Sequence, residues 1–280
     1  MSSNQIQKIV GTLGAAAILG GLSANANAQG LQNDLSSRAR SASGLIDSAD
    51  STDAANSRVT YTFKSKADSV SWAQSRAVAE RAKGFRIVVS LQDRHLWTIV
   101  GQDTVLSAPV AVAKGTTLKF GTRKWTFNTP RGIRTVLGKE ADPIWQPPEW
   151  LYAETAEEYG LKLGHLYSGS KIKLAAGRYL TVKDGEAGVI DDGEFAALPT
   201  DEHIVFGDTL FVPPEGSKNR KVEGELGKYR LILGEGYLLH GTPYKESIGM
   251  AATHGCVRMR DEDIEWMYDH VPVGTKVYIY

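Results

Sequence analysis

Cysteine is almost absent: Cys256 is the only one in 280 residues. A single thiol cannot close an internal disulfide, so the fold must hold by burial alone, and a chain of this length buries enough surface to do so. Net charge is absent too. Thirty-two Lys and Arg balance 32 Asp and Glu, which removes the electrostatic basis for a nucleic-acid or anionic-membrane partner. Long apolar runs are also missing. The nearest, Ile9 to Leu22, has about 14 residues against the roughly 20 that a spanning helix needs. Lys8 precedes it and Ser23-Ala24-Asn25-Ala26-Asn27-Ala28 follows, so residues 1–28 read as an export signal cleaved after Ala28 or Ala26, the other reading being a retained anchor. The mature protein is then expected outside the cytoplasmic membrane, periplasmic or wall-associated. There an unpaired thiol is a liability, and keeping one points to a reactive use.

The rest is organised by short β-rich runs. Residues 29–83 read as a linker, rich in Ser, Ala, Asn and Asp, followed by a short helix over Val70–Ala82. Phe85–Leu91 and Leu96–Val100 flank a hairpin at Gln92–His95, and Val105–Ala113 continues the series. Asn128–Gly132 is a turn, and Pro147–Tyr159 is a helix entered through proline. Further strands are expected at Arg178–Lys183, Val189–Ile190, His203–Val212 and, as a pair around Gly234-Glu235-Gly236, within Gly227–Leu239. A helix over Arg260–His270 and a strand at Thr275–Tyr280 end the chain. Short strands, glycine-marked turns and few helices indicate a mainly β sandwich or barrel-like domain.

The chemistry concentrates between Leu238 and Arg260. His240-Gly241-Thr242 is followed by Ser247-Ile248-Gly249 and then by Thr253-His254-Gly255-Cys256-Val257-Arg258. A thiol attacks as thiolate, and at its usual pKa only a few per cent is ionised at neutral pH, so a nearby imidazole is needed to take the proton or to pair as imidazolium. Two histidines offer this. His254 shares a side with Cys256 if that segment is extended, whereas His240 ends a strand that an adjacent segment can present to the sulfur. Gly255 lets a carbonyl approach, and its N–H with that of Cys256 is suited to an oxyanion. Arg258 is suited to a carboxylate or to holding the loop. The inert alternative is a buried cysteine acting as a small hydrophobe. A zinc site of His240, His254, Cys256 and His270 is disfavoured by the single residue between His254 and Cys256. His95, His165, His203 and His270 carry no supporting pattern.

Together, the HGT element, the Ser247-Ile248-Gly249 segment and the Thr253–Arg258 element resemble the signature of the L,D-transpeptidase (YkuD-type) catalytic domain. Phe85–Gly115, Thr129-Pro130-Arg131-Gly132 and Gly227–Leu231 resemble its opening strands, its T-P-x-G turn and the strand leading to HGT. The resemblance covers residues 84–280, with about 133–226 as a large insertion, read as a cap over the cleft or as an elaboration of the sheet. It implies a β-sandwich-like fold with Cys256 as nucleophile and His240 as general base and acid. His254, Gly255, Arg258, Thr242, Thr253 and Gly241 fall on supporting or oxyanion positions, and no metal or organic cofactor is implied. It further implies acylation of Cys256 by a peptidoglycan stem peptide with release of the terminal D-amino acid. Transfer then goes to an amine, giving 3→3 cross-links or attachment of a wall-anchored protein or D-amino acid, and carbapenem β-lactams are the implied inhibitors. The competing readings are an L,D-carboxypeptidase or amidase using the same acyl-enzyme, and a non-catalytic peptidoglycan-binding protein.

Overall fold

The computed structural model describes residues 63 and 65–280, so the expected export signal and the linker that follows it lie outside the described residues. The architecture is mainly β, with three α-helices among the described residues, Lys66–Arg81, Glu149–Glu158 and Asp261–His270. The described residues divide into two compact units, one of residues 63, 65–144 and 223–280 and a second of 145–222.

In the first unit a five-stranded sheet runs, in spatial order, Asp103–Pro109, His95–Val100, Phe85–Ser90, Lys276–Ile279 and Gly132–Thr135. Phe85–Ser90 pairs in parallel with Lys276–Ile279, and the other neighbours are antiparallel. Arg86 to Ser90 are buried without alternation because this strand sits at the centre of the sheet with both faces covered. Arg86 survives there by donating to the carbonyls of Gly84 and Gly101 at 3.2 and 3.0 Å. The helix Lys66–Arg81 starts before the expected Val70, because the Ser65 hydroxyl accepts the Asp68 N–H at 3.1 Å. Its Trp72 packs edge-on against Tyr280.

A four-stranded sheet orders Val257–Arg258, Leu238–His240, Tyr229–Ile232 and Gly138–Ala141. Leu231, Leu239 and Val257 face a core shared with Ile87, Val89, Leu96, Val277 and Ile279 of the larger sheet, which makes a sandwich. Ile264 and Met267 of the helix Asp261–His270 complete that core, each fully buried and each contributing about 1.5–3 kcal/mol. Asp261, Glu262 and Asp263 in its first turn and His270 in its last suit the helix dipole.

Two expected strands are divided. Val105–Ala113 breaks after Pro109, which has no N–H to give, and Val112–Ala113 pairs in parallel with Ala251–Thr253. His203–Val212 is a hairpin, Ile204–Phe206 and Thr209–Val212, turning at Gly207 with φ +61°.

The second unit has a helix, Glu149–Glu158, and two small sheets around Leu166, Leu180, Val182, Ala187, Val189, Ile204 and Phe211. Asp184-Gly185 and Asp192-Gly193 are two-residue hairpin loops with positive φ at both positions, as type I′ turns require. Asn219 accepts the Ala187 N–H and donates to the carbonyls of Leu198 and Pro199. Arg220 donates to those of Pro147 and Pro213.

Candidate active site

Strand register builds the site. Tyr229–Ile232 pairs with Leu238–His240 so that Arg230 opposes His240, and the parallel pairing with Val257–Arg258 sets His240 opposite Arg258. On the outer strand Glu140 opposes Arg230. Residues opposed across a ladder share a face, so Glu140, Arg230, His240 and Arg258 form one row, on the face opposite Leu231, Leu239 and Val257.

Cys256 immediately precedes the strand Val257–Arg258, and its sulfur meets the start of the strand that carries His240. The thiol donates to the Gly236 carbonyl at 3.7 Å, and the Leu238 N–H faces the sulfur. His240 is buried, and its Nδ1 is 2.6 Å from the Gly241 carbonyl oxygen. A carbonyl can only accept, so Nδ1 carries the proton and the neutral ring keeps its lone pair on Nε2.

The turn into Cys256 is closed by Thr253. Its hydroxyl donates to the Cys256 carbonyl at 2.6 Å and accepts the Gly255 N–H at 3.2 Å. The Gly255 N–H expected to serve an oxyanion is therefore already bonded. Gly255 has φ +154°, and a Cβ there would lie 3.0 Å from Tyr237 Cε1 and 3.4 Å from the Asn128 carbonyl oxygen, so the position requires glycine. The same bend ends the extension that would align His254 with the sulfur, and the His254 ring packs edge-on against Phe127 at 4.5 Å. The Thr242 hydroxyl accepts the Tyr244 N–H at 3.1 Å. Gly241 is constrained by packing: a Cβ would lie 2.5 Å from Asp261 Oδ1 and 3.2 Å from Gly227 Cα.

Residues outside the motifs complete the surroundings. Glu225 accepts the Tyr244 hydroxyl at 3.0 Å and lies 4.0 Å from the Arg258 guanidinium, which also stacks over the Tyr244 ring at 5.3 Å. Glu225, Tyr244 and Glu140 had no signal in the sequence pattern, and Arg230 and Gly236 lay in an expected strand and turn without a role of their own, because strand pairing and a long-range ion pair bring them to the site.

The Cys256 thiol and the His240 ring are both held in their neutral forms. Burial pushes the Cys256 thiol up to about 11, against the opposing pull of the Leu238 N–H and the Arg258 and Arg230 guanidinia. Burial, then Arg258 and Arg230, push His240 down to about 3, while the carbonyls of Gly241 and Leu226 act the other way. Cys256 as a whole residue is only part-buried. Among the described residues no group of three or more His, Cys, Asp or Glu is placed to hold a metal ion. His270 lies apart from the row, stacked on Trp266 at 4.5 Å.

The model of the YkuD L,D-transpeptidase catalytic domain matches residues 84–279. The chain belongs to this family. The probable L,D-transpeptidase YbiS of Escherichia coli strain K12 is 44% identical over 66 residues, 24% of this chain and 20% of that protein. The probable L,D-transpeptidase ErfK/SrfK of Salmonella typhimurium strain LT2 is 42% identical over 57 residues, 20% of this chain and 18% of its own length. The matched part is thus about a fifth of each of these relatives. Among solved structures, an L,D-transpeptidase of Xylanimonas cellulosilytica is 16% identical over 74% of this chain and 69% of its own, with a TM-score of 0.37. L,D-transpeptidase 3 of Mycobacterium tuberculosis, in complex with a faropenem-derived adduct, is 16% identical over 70% of this chain and 60% of its own, also with a TM-score of 0.37.

Proposed function

We propose that this family member is an exported L,D-transpeptidase that forms an acyl-enzyme on Cys256 and acts in peptidoglycan synthesis and remodelling. The observation that carries the reading is the parallel pairing of Leu238–His240 with Val257–Arg258, which sets imidazole and thiol on adjacent segments of one sheet. The cell wall lies outside the cytoplasmic membrane, the compartment that the reading of residues 1–28 also implies.

The Cys256 proton passes to His240 Nε2 as the sulfur attacks the carbonyl between the diamino acid and the terminal D-residue. The Cys256 N–H lies beside the developing oxyanion, with the Gly255 N–H able to join it only by leaving the Thr253 hydroxyl. Collapse of the tetrahedral species breaks the C–N bond, and His240 returns the proton to the departing amine. An acceptor amine then attacks the thioester and gives its proton to His240; the C–S bond breaks, and His240 passes that proton to the departing sulfur, restoring the thiol. Because both groups start neutral, the thiolate forms only as the proton moves.

Incubation with a disaccharide-tetrapeptide tests this. Intact mass is expected to show a tripeptide acyl adduct on the wild type and none on Cys256→Ala, with His240→Ala slowing acylation at least about 100-fold. Cross-linked dimers as the main product support transfer, whereas free tripeptide alone makes the enzyme an L,D-carboxypeptidase. Turnover by Cys256→Ala overturns the mechanism.

A further inference from the structure

Arg230 lies in the strand that leads to the HGT element and was given no role there, yet it stands next to His240 in the catalytic row, with Glu140 on its other side. The two arginines that flank His240 are held differently. Arg258 has an aromatic ring against its guanidinium and a carboxylate 4.0 Å away, and both it and Glu225 are largely shielded from solvent. Arg230 directs both Nε, at 2.9 Å, and Nη2 onto the single oxygen Oε2 of Glu140. A guanidinium fork is filled best by a carboxylate that takes both of its parallel N–H bonds, one on each oxygen. Glu140 supplies one oxygen, and its side chain is 42% exposed, so water competes for the pairing and its net contribution is small. Arg230 is thus the cation of the row whose partner a ligand can replace. Its field reaches both His240 and Cys256, which puts it within charge range of the reacting atoms.

We propose that Arg230 anchors a carboxylate of the peptide substrate beside the attacked carbonyl, Glu140 being the resident counter-ion that this carboxylate displaces. The inference rests on the transpeptidase reading above. A stem-peptide donor of the diaminopimelate type has two carboxylates within one residue of the scissile bond, that of the terminal D-residue and that of the diaminopimelate side chain. Arg230 takes one of them.

The test is acylation of wild type, Arg230→Gln and Arg230→Lys by three donors, with both carboxylates free, with only the terminal one amidated, and with only the side-chain one amidated. Alkylation of Cys256 by iodoacetamide across pH is followed in parallel. Amidation at the anchored position is expected to lower kcat/KM of the wild type about 10- to 100-fold, the scale of one charged hydrogen-bonded contact. Which amidation does so identifies the carboxylate. Arg230→Gln loses a similar factor with the free donor and no longer responds to that amidation, and Arg230→Lys keeps part of the response. Glu140→Gln lowers KM for the free donor, because the competitor is gone.

A wild type indifferent to both amidations overturns the inference without recourse to any variant. So does Arg230→Gln if it slows all three donors equally while shifting the alkylation profile, because Arg230 then acts only through His240. If the wild type takes no acyl group from any of the three, the transpeptidase reading falls and this inference with it.

Discussion

The Cys256 sulfur lies 3.7 Å from the Gly236 carbonyl oxygen, to which its proton is donated. The acceptor is a backbone group on the turn before the His240 strand, so the thiol rests on a group that cannot ionise it. With the thiol pushed up to about 11 and His240 held near 3, the free enzyme stores no thiolate–imidazolium pair. In the proposed reaction, activation comes with substrate, which would displace the S–H from Gly236 and bring the proton within reach of Nε2.

Alkylation of the free enzyme by iodoacetamide checks this directly, since Cys256 is the only cysteine. The rate is expected to climb towards tenfold per pH unit between pH 8 and 10 and to level near 11, as the thiolate fraction rises. A rate already at its plateau below pH 7 would show a pre-formed ion pair and contradict the neutral resting state.

Gly241→Ala should damage the site by crowding. The new Cβ meets Asp261 Oδ1 at 2.5 Å and Gly227 Cα at 3.2 Å, and overpacking of this kind costs about 1–3 kcal/mol. Asp261→Ala in the same chain removes the nearer atom and should restore part of the loss, while the Gly227 contact remains. Denaturant unfolding of the two single variants and the double variant measures the coupling; strictly additive losses would mean the contact does not limit this position.

His203 makes the second unit sensitive to acid. It is buried at 7% exposure with no partner on either ring nitrogen, and burial lowers it to about 4 from its usual 6.5. As pH falls from 6.5 to 4 the unfolded chain binds the proton first, so stability is lost across that window and is fully present above it. The loss approaches about 3 kcal/mol, from roughly 1.4 kcal/mol per unit. His203→Leu removes no hydrogen bond and should flatten this dependence. Hydrogen exchange of the Tyr179–Lys183 amides at pH 7.5 and 4.5 reads it locally, which separates it from the parallel effect of buried His240. An unchanged pH response in His203→Leu would assign the acid sensitivity elsewhere.

What the sequence made legible was local. The HGT and HGC elements declare a thiol, two histidines and the glycines between them, and Asp184-Gly185 and Asp192-Gly193 read as turns between strands, where Asp184 and Asp192 adopt φ of +52° and +46°. The row Glu140–Arg230–His240–Arg258 was not legible. It depends on which strands become neighbours, and no local period in Tyr229–Ile232 or Gly138–Ala141 reports that. Gly138–Ala141, Gly-Lys-Glu-Ala, even reads as non-strand, because side chains of low β propensity are carried there by pairing with Tyr229–Ile232. The choice between His240 and His254 also stayed open. The two-residue spacing of His254 and Cys256 implies a shared side only for an extended backbone, and the bend at Gly255 removes that condition.

The insertion expected at about 133–226 takes in most of the strand Gly132–Thr135 and all of Gly138–Ala141, whose partners belong to the two sheets of the first unit. The second unit proper, 145–222, closes on itself where Trp145 and Val222 exchange both backbone hydrogen bonds at 2.8 Å. Such a pair holds its Cα atoms about 5.5 Å apart, so the chain enters and leaves the unit side by side. The unit also has its own apolar cluster, drawn wholly from Leu166 to Phe211. Replacing residues 145–222 with Asn-Gly, a two-residue hairpin loop, should therefore leave the first unit folded with Cys256 still titrating as in the full chain. Circular dichroism, thermal melting and the iodoacetamide profile of the shortened chain test this, and residues 145–222 alone should show a cooperative transition of their own. An unfolded shortened chain would mean that the sandwich core depends on the inserted segment.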